Sequence, residues 1–157
     1  MKKFLHFSQH DRLDCGPACL KMISRFYGQD YSYTFLKKMC RMGEGGTTLS
    51  GLQTAADAIG LQAFSTRLTM EILERERPVP LMAHWHGRHY VVVYNIKGGR
   101  IFVADPAKET NVVYTKSEFE KGWICLNELG TEYGIVTLFS PTPEFYASQR
   151  STADHRR

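Results

Sequence analysis

No run of the chain approaches the ~18 apolar residues that a membrane-crossing helix needs. The opening MKKFLHFSQHDR is interrupted at His6, Ser8, Gln9 and His10, too early for the hydrophobic stretch of a secretory signal. Positive charge is not gathered either. The 20 Lys and Arg stand against 16 Asp and Glu, a formal net charge of +4, and they are scattered rather than striped with aromatics, which argues against nucleic acid as a partner. Cysteine is sparse: Cys15, Cys19, Cys40 and Cys125 have no export signal beside them, so reduced thiols are expected and a disulfide framework is set aside. There is no internal repeat and no low-complexity tract. MGEGGTT, residues 42–48, lacks the Gly-Lys-Ser/Thr ending of a phosphate-cradling loop and reads as a connector between helices.

What the chain does contain is enough apolar material, 43% of 157 residues, for one domain with a real core. Helical patterns fill its first half and strand patterns its second, which predicts a segregated α+β domain. A first helix is expected from Pro17 to Gly28, with Cys19, Met22, Ile23 and Phe26 as its buried stripe. Further helices are expected over Tyr33–Cys40 and Leu49–Ile59, the latter opened by Thr48 and closed by Gly60. LQAFSTRL reads as a strand and TMEILERER as a short helix capped by Thr69. PLMAHWH, HYVVVYNI and RIFVADP then read as antiparallel strands joined by tight turns at Gly87-Arg88 and Lys97-Gly98-Gly99. SEFEKGW offers one helical turn and YGIVTLF a closing strand, which puts the folded domain at residues 1–140 and a polar tail or linker at 141–157.

Chemistry is concentrated in QHDRLDCGPACLKMI, residues 9–23. A cysteine at a helix start faces the positive end of the macrodipole and free N–H groups, an environment that favours a thiolate. A lone cysteine there is more often a small packing residue, so its company decides. A base is available in His84, His86 or His89, and His89 opens an apolar strand whose packing would fix its ring. The next strand ends Ala104-Asp105-Pro106, where proline stops the pairing. With a three-residue loop pairing Asn95 with Gly99, Asp105 lies opposite His89, at the ~4.5–5.5 Å Cβ separation of directly opposed residues. With a two-residue turn at Gly98-Gly99, Asp105 instead lies opposite Val92. Gln9 adds a side-chain amide which, with the backbone N–H of Cys15, would make two donors for an oxyanion. Zinc is the rival reading, because His84 and His86 alternate onto one strand face and Cys15 and Cys19 lie one helical turn apart. Cys19, however, fits the buried helix stripe, so no metal is assigned. Cys40 and Cys125 have no catalytic context.

Gln9, the run Asp14-Cys15-Gly16, then His89-Tyr90-Val91-Val92 and Asp105-Pro106 resemble the motif set of the double-glycine-leader peptidases. These are the papain-like domains of peptidase-containing ABC transporters that mature and export bacteriocins. The resemblance spans roughly residues 4–140. It implies a papain-like fold, with an N-terminal helical lobe and a C-terminal antiparallel sheet lobe. It also implies Cys15 as nucleophile, His89 as general base and acid, Asp105 as orienting carboxylate, Gln9 as oxyanion donor, and no cofactor. The implied substrate is a precursor peptide whose amphipathic helical leader docks on the domain and is cut after a Gly-Gly type pair. The implied partners are the transmembrane and ATP-binding domains of a transporter, at the cytoplasmic face of the membrane, where the ending His155-Arg156-Arg157 would suit a linker. A silent leader-binding module, or another papain-like amide hydrolase or transferase, would use the same scaffold.

Overall fold

The computed structural model describes residues 4–40 and 46–147 of the chain. Its first helix, α1 (Cys15–Phe26), starts two residues before the expected Pro17. Proline fits inside the first turn because the N–H groups there have no intrahelical acceptor. Gly28, at φ +102°, turns the chain away after it. α2 (Tyr33–Met39) and α3 (Leu49–Ala58) are opened by Ser32 and Thr48, whose hydroxyls accept from Phe35 N–H and Gly51 N–H at 3.1 and 3.0 Å. Such a cap stabilises a helix by about 1 kcal/mol. β1 (Leu61–Leu68), α4 (Met70–Glu76) with its Thr69 cap, β2 (Leu81–Trp85), β3 (His89–Lys97) and β4 (Arg100–Ala104) follow where the apolar runs placed them.

Three further elements were not expected. β5 (Val112–Thr115) alternates in burial over only four residues, too short a run to read from VVYT, and β6 (Ile124–Glu128) is almost wholly exposed and shows no alternation. Between them α5 (Lys116–Trp123) extends past the single expected turn, because Thr115 and Glu118 close a capping box at its start. β7 (Thr131–Pro141) is longer than the YGIVTLF core, and it is followed by α6 (Pro143–Ala147). Phe145 of α6 is fully buried in the helical core. Thr142 ties the segment down by donating both its N–H and its hydroxyl to Gly60 O, at 3.0 and 2.6 Å. Residues 141–147, read as the start of a polar tail, therefore belong to the packed structure; one apolar anchor among prolines and polar residues leaves no periodicity to detect. The rest of that tail, residues 148–157, and most of the MGEGGTT connector lie outside the described residues.

The strands form one antiparallel sheet in the order β1-β7-β2-β3-β4-β5, with β6 paired to β7. Met82, Tyr90, Val92 and Ala104 face a core built with α1, α2 and α3. Leu81, Ala83, Val91, Val93, Ile101 and Val103 face a second core with Met70, Leu73, Phe119 and Trp123 of α4 and α5. Burial on both faces explains why HYVVVY is a continuous apolar run instead of an alternating one.

Phe145→Ala is expected to lower unfolding free energy by about 3–5 kcal/mol in urea titrations, the range for emptying a buried aromatic site. Tyr146→Ala, at a position 51% exposed, should change it by less than about 1 kcal/mol.

Candidate active site

Cys15 is the first residue of α1 and is 5% exposed. The residue before it, Asp14, occupies the cap position, yet its side chain makes no capping bond. The carboxylate is almost fully buried and turned toward α2, where Lys37 Nζ stands 3.3 Å from Oδ2 and the Tyr33 hydroxyl bonds to it. Burial, with that bond next, pushes the Tyr33 hydroxyl well above its ordinary range, so it stays a donor. Asp14 does not reach back to the helix, so the first turn beside the sulfur has no side-chain cap.

His89 opens β3 and its side chain retains 21% exposure. Its Nε2 lies 2.6 Å from Asp105 Oδ1, a charge-assisted contact, and the same oxygen accepts the Ala107 N–H at 2.9 Å. Cys15 acts on the same ring as a hydrogen-bond partner and as a charge. With Nε2 taken by Asp105, Nδ1 is the nitrogen left to exchange a proton with the sulfur. Burial works against the charged imidazole, but the bonds and charges of Asp105 and Cys15 outweigh it and lift its pKa to about 9. Asp105 shows the complementary effect: burial opposes its charge, yet the bonds from His89 and Ala107 hold its carboxyl below the usual range.

The route to this contact differs from both expected registers. The β3–β4 connection is the two-residue turn, with Lys97 opposite Arg100 and with Gly98 and Gly99 at φ +58° and +74°. A bulge between Val93 and Asn95 then shifts the pairing, so that Val92 faces Ala104 and Asp105 follows one step beyond. Asp105 is therefore neither opposite His89 nor opposite Val92. It reaches the imidazole diagonally, a separation that long side chains bridge.

Gln9 is tied to the same loop from the other side, its N–H donating to Pro106 O at 2.8 Å. Its amide nitrogen donates to Asp11 O at 2.9 Å, while its buried Oε1 has no partner. The structure thus gathers Cys15, His89 and Asp105 into one row and sets Gln9 on the adjoining segment, with one amide N–H still available.

His89 also lines a cleft of about 610 Å³ together with Arg12, Thr47, His84, Arg88 and Tyr90. Of these Arg12, Thr47 and Arg88 had no signal in the sequence, since they gather at the cleft only through folding. The zinc arrangement is not assembled. His84 stacks on Tyr90, with ring centroids 5.1 Å apart, and burial lowers its pKa. His86 leaves the strand in a left-handed turn at φ +51°, so the two imidazoles do not share a face. Cys19, fully buried, donates its thiol to Tyr90 O at 3.3 Å. Burial raises both remaining buried thiols, Cys40 to about 12, and keeps them protonated. Cys125 is exposed.

Comparison with known proteins gives a consistent picture. The model of the Peptidase C39 family matches residues 3–128. The lactococcin-G-processing and transport ATP-binding protein of Lactococcus lactis subsp. lactis is 37% identical over 153 residues, covering 94% of this chain and 20% of that protein. The pediocin PA-1 transport/processing ATP-binding protein of Pediococcus acidilactici is 35% identical over 124 residues, 74% of this chain and 17% of that protein. The chain thus spans about a fifth of the length of these curated relatives. Among solved structures, a double glycine motif protease from an AMS/PCAT transporter, in complex with the leader peptide, superposes with a TM-score of 0.78 at 28% identity, covering 89% of this chain and 93% of that one. The peptidase domain of Streptococcus ComA, a bi-functional ABC transporter, superposes with a TM-score of 0.76 at 25% identity, covering 89% and 100%. The helical lobe followed by an antiparallel sheet is the expected papain-like peptidase fold.

The coupled charges of His89 and Asp105 predict a pH signature. The imidazole titrates near 6.5 when unfolded and about 9 when folded, so its stabilising contribution is complete below about pH 6.5 and is lost as pH rises through about 9. Asp105 is lowered, so its contribution is lost only as pH falls below its usual 3.8. Thermal melts from pH 6 to 10 should show the melting temperature falling across the alkaline window, and Asp105→Ala should flatten that fall.

Proposed function

Because the chain belongs to the Peptidase C39 family, we propose that it is a cysteine endopeptidase that removes the leader of a bacteriocin-like or other ribosomal precursor peptide by cutting after a Gly-Gly type pair. The observation that carries the reading is the row Cys15, His89, Asp105, in which the imidazole is bonded to a carboxylate on one side and meets the thiol on the other. The double glycine motif protease with its bound leader supports the substrate class.

In the proposed reaction His89 Nδ1 first takes the proton of Cys15, as its raised pKa favours, and the thiolate then adds to the carbonyl of the last leader residue. Asp105 holds the ring in orientation and balances the imidazolium charge. The Cys15 N–H and the Gln9 amide donate to the oxyanion. Collapse of the intermediate breaks the C–N bond, and the departing amine takes the proton from His89. Water, deprotonated by the same ring, then splits the thioester to release the leader as a carboxylate and restore the thiol. No step requires a cofactor.

The names of the curated relatives pair processing with transport and ATP binding. They support a role for this chain beside the transmembrane and ATP-binding domains of an ABC transporter, at the cytoplasmic face of the membrane. Among the described residues no helix is long and apolar enough to cross a membrane.

Cys15→Ala is expected to abolish cleavage of a Gly-Gly precursor, read by product mass, while leader binding persists in a calorimetric titration. Full cleavage by that variant would overturn the nucleophile, and retained binding by a wild-type chain that cuts nothing would leave only a leader-binding module. Gln9→Ala should lower kcat by about 10²–10³-fold with KM little changed. A change in KM alone would remove Gln9 from the oxyanion role.

A further inference from the structure

Gln9 sits on residues 4–13, a stretch with no helix or strand of its own, so its place is set by whatever ties that stretch down. One tie is the bond from the Gln9 N–H to Pro106 O. Most of the others converge three residues upstream, on His6. Its Nε2 lies 2.7 Å from Lys108 O and its Nδ1 2.9 Å from Asn111 Oδ1. The Asn111 amide is oriented from its other side, because its nitrogen donates to Phe4 O at 3.3 Å and so leaves the oxygen for the ring. Lys108 O also accepts the Ser8 hydroxyl, at 2.9 Å. From α1, Arg25 donates to Leu5 O and His6 O at 3.1 and 3.2 Å.

The loop that receives the imidazole joins β4 to β5 and begins with Asp105. Asp105 O accepts the Lys108 N–H at 3.0 Å, so the Lys108 peptide is fixed to the residue bonded to His89. His6 therefore spans from the segment that carries Gln9 to the loop that carries Asp105. Both of its contacts end on acceptors, so one ring hydrogen completes one bond and two complete both. The bond to Lys108 O is the one that bears on the site, since Lys108 lies in the turn after Asp105 and Asn111 at the far end of the loop. Without it the segment is held there by the exposed Ser8 bond and the Gln9 backbone bond, and a donor displaced by about 1 Å loses much of its catalytic value. Resting on the leader-peptidase reading above, we propose that His6 is a positioning residue for Gln9. Its Nε2–H, bonded to Lys108 O, holds the oxyanion donor in register with the row of Cys15, His89 and Asp105.

The test uses the whole chain and a Gly-Gly precursor, with kcat and KM read from product masses. His6→Ala should lower kcat about tenfold while KM stays within about twofold. In a Gln9→Ala background the same substitution should change kcat by less than about twofold, because a donor that is gone cannot be misplaced. Two amide replacements separate the contacts: glutamine carries its N–H at the reach of Nε2, and asparagine at that of Nδ1. His6→Gln should keep kcat within about threefold of wild type, whereas His6→Asn should fall as far as His6→Ala. Melting temperatures identify a variant that has lost its fold, and should His6→Ala melt early, His6→Asn takes its place in the comparison with Gln9→Ala. No loss of kcat, equal losses with and without Gln9, or a His6→Gln no better than His6→Asn would overturn the role of His6 and leave the peptidase reading standing. A wild-type chain that cuts no Gly-Gly precursor would overturn the peptidase reading itself, and this inference with it.

Discussion

The site depends on strand β3 being buried on both faces. Tyr90 and Val92 press into the helical core and Val91 and Val93 into the opposite one, so the backbone that carries His89 has little freedom to shift. Each fully buried aliphatic side chain stabilises by roughly 1.5–3 kcal/mol. Three such valines and the buried Tyr90 anchor the strand far more firmly than any hydrogen bond between the side chains at the site. α1 lies against one of these faces, which brings its first residue to the first residue of β3. Cys15 and His89, the proposed nucleophile and base, thus meet because two element ends are placed by packing, and the charge-assisted bond to Asp105 then selects one orientation of a ring already in position.

Electrostatics refine what packing sets up. Asp14 adjoins Cys15 in sequence, but its buried carboxylate turns to Lys37 and Tyr33 instead of capping the helix. Turned the other way, it would occupy the first-turn N–H groups that the proposed reaction uses. The neighbouring thiols Cys19 and Cys40 are held protonated by burial. The helix that carries Cys15 therefore also carries Cys19, whose thiol is held protonated by burial and spent on the Tyr90 carbonyl.

Much of this was legible in the chain. The hydroxyls of Thr48 and Thr69 marked two helix starts, and the doubly buried strands announced themselves as long apolar runs. Cys15, His89 and Asp105 could be named because each sits at a boundary where an element begins or ends. What escaped reading depended on contacts formed only in three dimensions. The β3–β4 register hinges on a bulge whose sole local hint is Asn95, a poor strand residue whose side chain accepts the next N–H at 2.9 Å. β5 and β6 take their place by pairing, not by pattern, and α6 is held by one phenylalanine and the Thr142–Gly60 bonds. Thr47 is the same kind of case at the site: nothing in GGTT distinguishes a residue that lines the cleft from a plain connector.

The central claim is that the imidazole of residue 89 is shared between a carboxylate and a sulfur. Following the His89 ring by NMR through a pH titration tests it most directly, in the wild type and in Cys15→Ser and Asp105→Ala. An apparent pKa near 9 that falls in both variants is the predicted result. A ring that titrates near its ordinary value and does not respond to replacement of Cys15 would contradict it.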